Sequence, residues 1–133
     1  MEISATVTSS ASGNEVSVRT GSATQTLAVP TKTDGRGSSV NGGEFLMLAL
    51  ATCYCNDLYR EAERLGIPIE GAQVEATAEF PGVGLAATGI RYRALVKSSA
   101  GAETVARLLR ETDAVAEVHN TVRSGVPVDL LLR

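Results

Sequence analysis

The segment Asn41–Gly66, NGGEFLMLALATCYCNDLYREAERLG, constrains this chain more than any other. From Phe45 to Tyr54 it is apolar on almost every side, so a helix built there needs burial all round. From Asn56 onward Leu58, Ala62 and Leu65 recur at helical spacing among Asp57, Arg60, Glu61, Glu63 and Arg64. That half reads as amphipathic, its charged residues forming i, i+3 and i, i+4 pairs on a solvated face. Asn41 is placed to cap the N-terminus and Glu44, three residues on, to complete a capping box. Gly66 stops the helix and Pro68 prevents its continuation. A helix apolar on all sides is hard to cover within 133 residues. The economical solution is a second copy packed against it, so a homodimer is expected; a monomer whose own strands wrap the helix is the alternative.

The flanks read as antiparallel sheet. Ile3, Ala5 and Val7 alternate with polar residues, as do Val16 and Val18, and Thr24–Val29 is β-prone. Ser12-Gly13-Asn14 and Thr20-Gly21-Ser22 supply turns, which predicts a three-stranded meander ended by Pro30. A polar loop over 31–43 leads into the long helix. Beyond it Val74, Ala76 and Ala78 alternate with Glu75, Thr77 and Glu79, and after Pro81-Gly82-Val83-Gly84 come Ile90, Tyr92, Ala94 and Val96. Together these predict a two-stranded hairpin with one polar face. A helix is expected from Gly101-Ala102-Glu103, a shorter helical piece over 114–122, and a closing strand over Val126–Leu132. The order of elements gives an α+β fold in a single domain, 1–133, with helices packed on antiparallel sheet.

Several partner classes are excluded by composition. The net charge is −3 with no run of Lys or Arg, which argues against nucleic acid. No stretch reaches the ~20 apolar residues of a membrane span. Met1-Glu2-Ile3-Ser4 lacks the basic and apolar regions of a secretory signal, so a reducing cytoplasm is expected, with Cys53 and Cys55 as thiols. One His and two Cys do not make a structural zinc site within one chain, and neither metal nor cofactor is expected. With two Phe, three Tyr and no Trp, the core must be built from Val, Leu, Ile and Ala.

Taken in order, the meander, the Gly/Asn loop, the apolar helix with Ala51-Thr52-Cys53-Tyr54, the hairpin and the closing VHNTVRSGVPV resemble the OsmC/Ohr family. The most specific pieces are Asn41-Gly42-Gly43-Glu44-Phe45-Leu46 and Asn120-Thr121-Val122 followed by Val126-Pro127-Val128. The resemblance implies antiparallel sheets around a long buried central helix in an intertwined homodimer with sites at the subunit interface. It also implies a thiol peroxidase activity, reducing organic hydroperoxides at a cysteine on the buried helix, which matches Cys53. In the family a second cysteine resolves the sulfenic acid and external thiols recycle the enzyme. Here Ala116 stands at the resolving position, the turn Thr8–Gly13 lacks the family's Arg, and the usual Asn-Pro-Glu is Asn41-Gly42-Gly43 with Glu44 one place late.

Two readings of each candidate residue follow. Cys53 is a reactive thiol working in one-cysteine fashion with an external thiol, or a small buried hydrophobe. Cys55 resolves Cys53 or packs; two residues apart on a helix their side chains diverge by ~200°, which favours packing. His119, one turn beyond Ala116, approaches the Cys53 pocket or is an ordinary histidine. Glu44 is the capping partner, an acid at the site, or both. Arg36 is a loop charge in solvent or the cation that stabilises the Cys53 thiolate across the dimer. The enzyme reading has a peroxide as its small-molecule ligand; the alternative is a non-catalytic dimer that binds an apolar small ligand or senses redox state.

Overall fold

The computed structural model describes residues 1–132. Its elements run β1 (Ile3–Ser10), β2 (Gly13–Thr20), β3 (Ala23–Leu27), α1 (Gly42–Leu65), β4 (Gly71–Glu79), β5 (Thr88–Lys97), α2 (Ala102–Val115) and α3 (Glu117–Ser124). This is the expected α+β class, with two antiparallel sheets and three helices. The backbone divides into two compact units, Met1–Phe45 and Leu46–Arg133.

The first unit is the three-stranded meander β1-β2-β3 and the loop after it. Val7 faces Val16 and Val16 faces Leu27 across the ladders, so the branched residues make cross-strand pairs on one face. Gly21, at φ +57°, takes the left-handed position that the tight β2–β3 turn demands. Val16 is buried, whereas Ile3 and Val7 stay 68% and 61% exposed. The amphipathic strands are therefore formed as the alternation predicts, but much of their apolar face is left bare.

In the second unit the core lies between α1, α2 and the β4–β5 hairpin. Tyr54, Leu58, Ala62, Ile67, Leu108 and Ala116 are buried together, with Ala72, Val74, Tyr92, Ala94 and Val96 packed against them from the sheet. The hairpin register explains the selection: Ala72 pairs with Val96, Val74 with Ala94 and Ala76 with Tyr92, so period-2 alternation sends one apolar row inward. Leu58 and Leu108 are fully buried, each stabilising by about 2 kcal/mol relative to exposure. Gly66 ends α1 at φ +68°, with Gly66 N–H donating to the Glu63 carbonyl and Ile67 N–H to the Ala62 carbonyl. That paired closure is the Schellman arrangement, and it requires a residue free to adopt left-handed geometry.

Three expectations are corrected. Val126–Leu132 forms no strand, and Val126, Val128, Leu130, Leu131 and Leu132 are exposed. Their alternation suits a strand, but a strand exists only against a partner edge, and among the described residues none pairs with them. The last helix begins at Glu117 because Ala116 is extended at φ −74°, ψ 103° and separates α2 from α3. Within α1, Asp57 and Glu61 are not on a solvated face: each is 5% exposed. The apolar half of α1 buries Leu50 and Tyr54 but leaves Leu48 56% exposed. One chain does not supply the burial that its pattern demands.

Candidate functional site

Cys53 lies half-buried on α1, one helical turn before Asp57 and facing the start of α3. Its Sγ is 3.6 Å from Asp57 Oδ2 and 3.9 Å from Glu117 Oε2. The first contact follows from helical i, i+4 spacing. The second depends on the break at Ala116 between α2 and α3, which places the first turn of α3 against the thiol.

Arg60 completes the group. Its Nη1 is 3.0 Å from Asp57 Oδ1 and 3.8 Å from Glu117 Oε1, while its Nε reaches Glu61 at 3.5 Å. The guanidinium of Arg60 is thus engaged by the two carboxylates that flank the thiol. Burial pushes the Cys53 thiol above its ordinary pKa, and the carboxylates of Asp57 and Glu117 push it further; the backbone N–H of Val118 opposes them. Asp57 is itself raised, chiefly by burial and against the pull of Arg60. Both groups are thus held toward their protonated, neutral forms, and they share the one hydrogen bond between them. Cys53, Asp57 and Glu117 also offer three ligand atoms within 4.8 Å of one another, but Arg60 supplies the charge compensation that a cation would.

A second group lies deeper. His119 is 3% exposed, its ring centroid 4.4 Å from that of Tyr92 and 5.8 Å from that of Tyr54. Neither imidazole nitrogen has a hydrogen-bond partner. Burial lowers the His119 pKa, and the charge of Arg123 lowers it further. The Tyr92 hydroxyl donates to Asp113 Oδ1, which also accepts from Arg123 Nη2 at 2.6 Å. Tyr54 donates to the Leu109 carbonyl at 2.8 Å, and burial raises its phenol to about 12. His119 contributes to a cavity of about 390 Å³ with Leu50, Tyr92 and Arg123.

The other candidates are placed as follows. Glu44 Oε1 accepts from the Asn41 N–H at 2.9 Å and Asn41 Oδ1 accepts from the Glu44 N–H at 2.8 Å, the reciprocal capping box. Arg36 lines a cavity of the first unit with Ser10–Gly13, Thr31, Gly35 and Gly37. Cys55 is a free, half-buried thiol. The sequence reading missed Asp57, Arg60 and Glu117 as neighbours of Cys53. Asp57 was legible from its i+4 spacing; Glu117, 64 residues away, had no local signal.

The family model described as OsmC-like protein matches residues 35–131. No curated protein sequence matches the chain significantly. Among solved structures, an OsmC-like protein from Mycoplasma pneumoniae superposes with TM-score 0.66 at 16% identity, covering 93% of this chain and 87% of the other. An organic hydroperoxide resistance protein OsmC from Legionella pneumophila gives 0.63 at 17% identity, covering 98% and 95%. One from Elizabethkingia anophelis, also an organic hydroperoxide resistance protein, gives 0.63 at 17%, covering 96% and 92%. At such identities these structures establish the fold.

Proposed function

This chain belongs to the OsmC-like protein family, and on that premise we propose that it reduces organic hydroperoxides through Cys53, using an external thiol to complete the cycle. The observation that carries this reading is the 3.6 Å contact between Cys53 Sγ and the buried Asp57 carboxylate. Asp57 takes the thiol proton. The thiolate attacks one peroxide oxygen, the O–O bond breaks, and the departing alkoxide takes a proton from Asp57. Sulfur is oxidised to the sulfenic acid, keeping the transferred oxygen as –SOH, and the peroxide is reduced to an alcohol. An external thiol displaces water to form a mixed disulfide; a second thiol releases reduced Cys53 and leaves with the first as a disulfide. Ala116 at the resolving position supports external rather than internal resolution.

We infer that the working protein is a single-domain homodimer of the cytoplasm. The exposed Leu48 and the apolar row through Val126, Val128, Leu130 and Leu132 support a second copy as their cover. No helix among the described residues is long and apolar enough to cross a membrane. Glu44 acts as a helix cap, and we infer that the cation supporting the Cys53 thiolate is Arg36 from across the dimer.

The raised thiol favours a second reading, a binding or redox-sensing protein in which Cys53 is oxidised only slowly. Titrating the reduced protein with cumene hydroperoxide and with hydrogen peroxide, followed by intact mass, separates the two. Rapid gain of one oxygen, lost in Cys53→Ser, faster with the organic peroxide and reversed by dithiothreitol, is the enzyme result. A rate no greater than that of a free cysteine refutes it.

A further inference from the structure

Two carboxylates share one cation beside Cys53. Asp57 and Glu117 both draw on Arg60, which also reaches Glu61, and among the described residues neither has another ion-pair partner. Arg60 takes their outer oxygens, Asp57 Oδ1 at 3.0 Å and Glu117 Oε1 at 3.8 Å. The inner oxygens, Asp57 Oδ2 and Glu117 Oε2, face Cys53 Sγ at 3.6 and 3.9 Å. Sγ, Oδ2 and Oε2 thus converge on one point that Arg60 does not fill. Metal bonds of about 2.3 Å to sulfur and about 2.1 Å to oxygen, at a tetrahedral angle, put sulfur and oxygen about 3.6 Å apart. The contact to Asp57 already has that length, and the contact to Glu117 is slightly longer. The Glu117 side chain is 70% exposed, so it has room to close. Charge points the same way. A Cys53 thiolate and two carboxylates carry three negative charges, of which Arg60 offsets one, and a divalent cation brings the sum to zero. Asp57 is 5% exposed, and buried charges are stabilised by pairing or by coordinating a metal.

We propose that Cys53 Sγ, Asp57 Oδ2 and Glu117 Oε2 bind a thiophilic divalent cation of the Zn²⁺ class, with the fourth position open and Arg60 holding the carboxylates from behind. The thiolate selects Zn²⁺ or Cd²⁺ over Mg²⁺ and Ca²⁺, which prefer oxygen alone. Ligating carboxylates are themselves held by donors on their far side, the place Arg60 occupies. This open three-ligand site differs from the closed four-ligand zinc site that one His and two Cys exclude. On binding, the thiol proton passes to solvent and a sulfur lone pair is committed to the metal, so Cys53 is masked from electrophiles. Binding needs no peroxide chemistry; that the mask regulates a peroxidase rests on the function proposed above.

The test titrates Cd²⁺ into the full-length chain, reduced and then freed of reductant. Thiolate-to-cadmium charge transfer is read in the ultraviolet and affinity by calorimetry. One Cd²⁺ per chain is expected, displaced by Zn²⁺, with a band that Cys53→Ser abolishes and Cys55→Ser keeps. Glu117→Gln and Asp57→Asn should each weaken binding by roughly tenfold or more, since even the outer partners of a metal site cost that much. Bound metal should block alkylation of Cys53, and EDTA should restore it. A band that survives Cys53→Ser places the metal on Cys55 and overturns the proposal. So does unchanged affinity in Glu117→Gln, which would mean binding by the thiol without its carboxylates. Glu117 is exposed, so its variant tests the site without disturbing the core. Should Cys53→Ser fail to fold, protection of Cys53 in the unaltered chain, mapped by mass, decides in its place. Cd²⁺ binding at a thiol that meets peroxide no faster than free cysteine upholds this site and sinks only the enzyme reading. Peroxide reduction without Cd²⁺ binding does the reverse.

Discussion

Asp57→Asn isolates the electrostatics of Cys53. The substitution keeps the shape and the hydrogen-bonding reach of the side chain while removing a charge 3.6 Å from Sγ. At that distance two unit charges in a water-like dielectric interact by about 1 kcal/mol, and the lower dielectric around a carboxylate that is 5% exposed makes this a minimum. The Cys53 thiol should therefore ionise more readily, and its alkylation by iodoacetamide at pH 8 should accelerate roughly five- to tenfold. Burial, the largest cause of the raised thiol, and Glu117 both remain, so the gain does not reach the reactivity of a fully activated thiolate. Peroxide should behave differently. If Asp57 returns a proton to the leaving alkoxide, the peroxide rate per thiolate falls in the variant even as alkylation rises. The assay is the pair of second-order rate constants, alkylation and sulfenic acid formation, measured on both proteins over the same pH range. Unchanged or slower alkylation refutes the electrostatic account. Peroxide and alkylation rates rising by the same factor refute the proton shuttle and leave Asp57 as a repelling charge only.

Because Cys53 is raised, its alkylation rate in the unaltered protein should keep climbing at pH values above the ordinary thiol range, where a free cysteine has levelled off; a plateau below pH 8 would contradict the site geometry. Leu108→Ala, at a fully buried position, should cost about 2–5 kcal/mol in a denaturant titration, and a loss under 1 kcal/mol would show that the second unit repacks. Asp113 is held below the usual carboxylate range, first by its hydrogen bond from Arg123. A depressed folded pKa stabilises above the unfolded value of about 3.9 and is lost as pH falls through the folded one. Asp113→Asn should therefore flatten part of the acid limb of stability against pH, as read by thermal melts between pH 6 and 2; an unaltered limb would show that the pair is screened out.

What could be read from the sequence was whatever depends on residues near one another in the chain. Period-2 alternation located the strands of both sheets and which side of β4 and β5 faces inward. Asn41 and Glu44 marked the start of α1, because the capping box is closed by residues three apart, and Gly66 marked its end. Cys53 stood out through its place in an apolar helix and its match to a family pattern. Tertiary structure decided the rest. Asp57 and Glu61 belong by spacing to a charged helix face, yet their burial depends on what packs over that turn. Glu117 reaches Cys53 only because the chain breaks at Ala116 and starts a new helix there. His119 lies among Tyr54 and Tyr92 through contacts 65 and 27 residues distant in sequence, beyond the range of any periodicity. The alternation of Val126–Leu132 shows the converse limit: a pattern states which side of a strand would be buried, but hydrogen bonds to a neighbouring edge make the strand, and an edge is a property of the folded assembly.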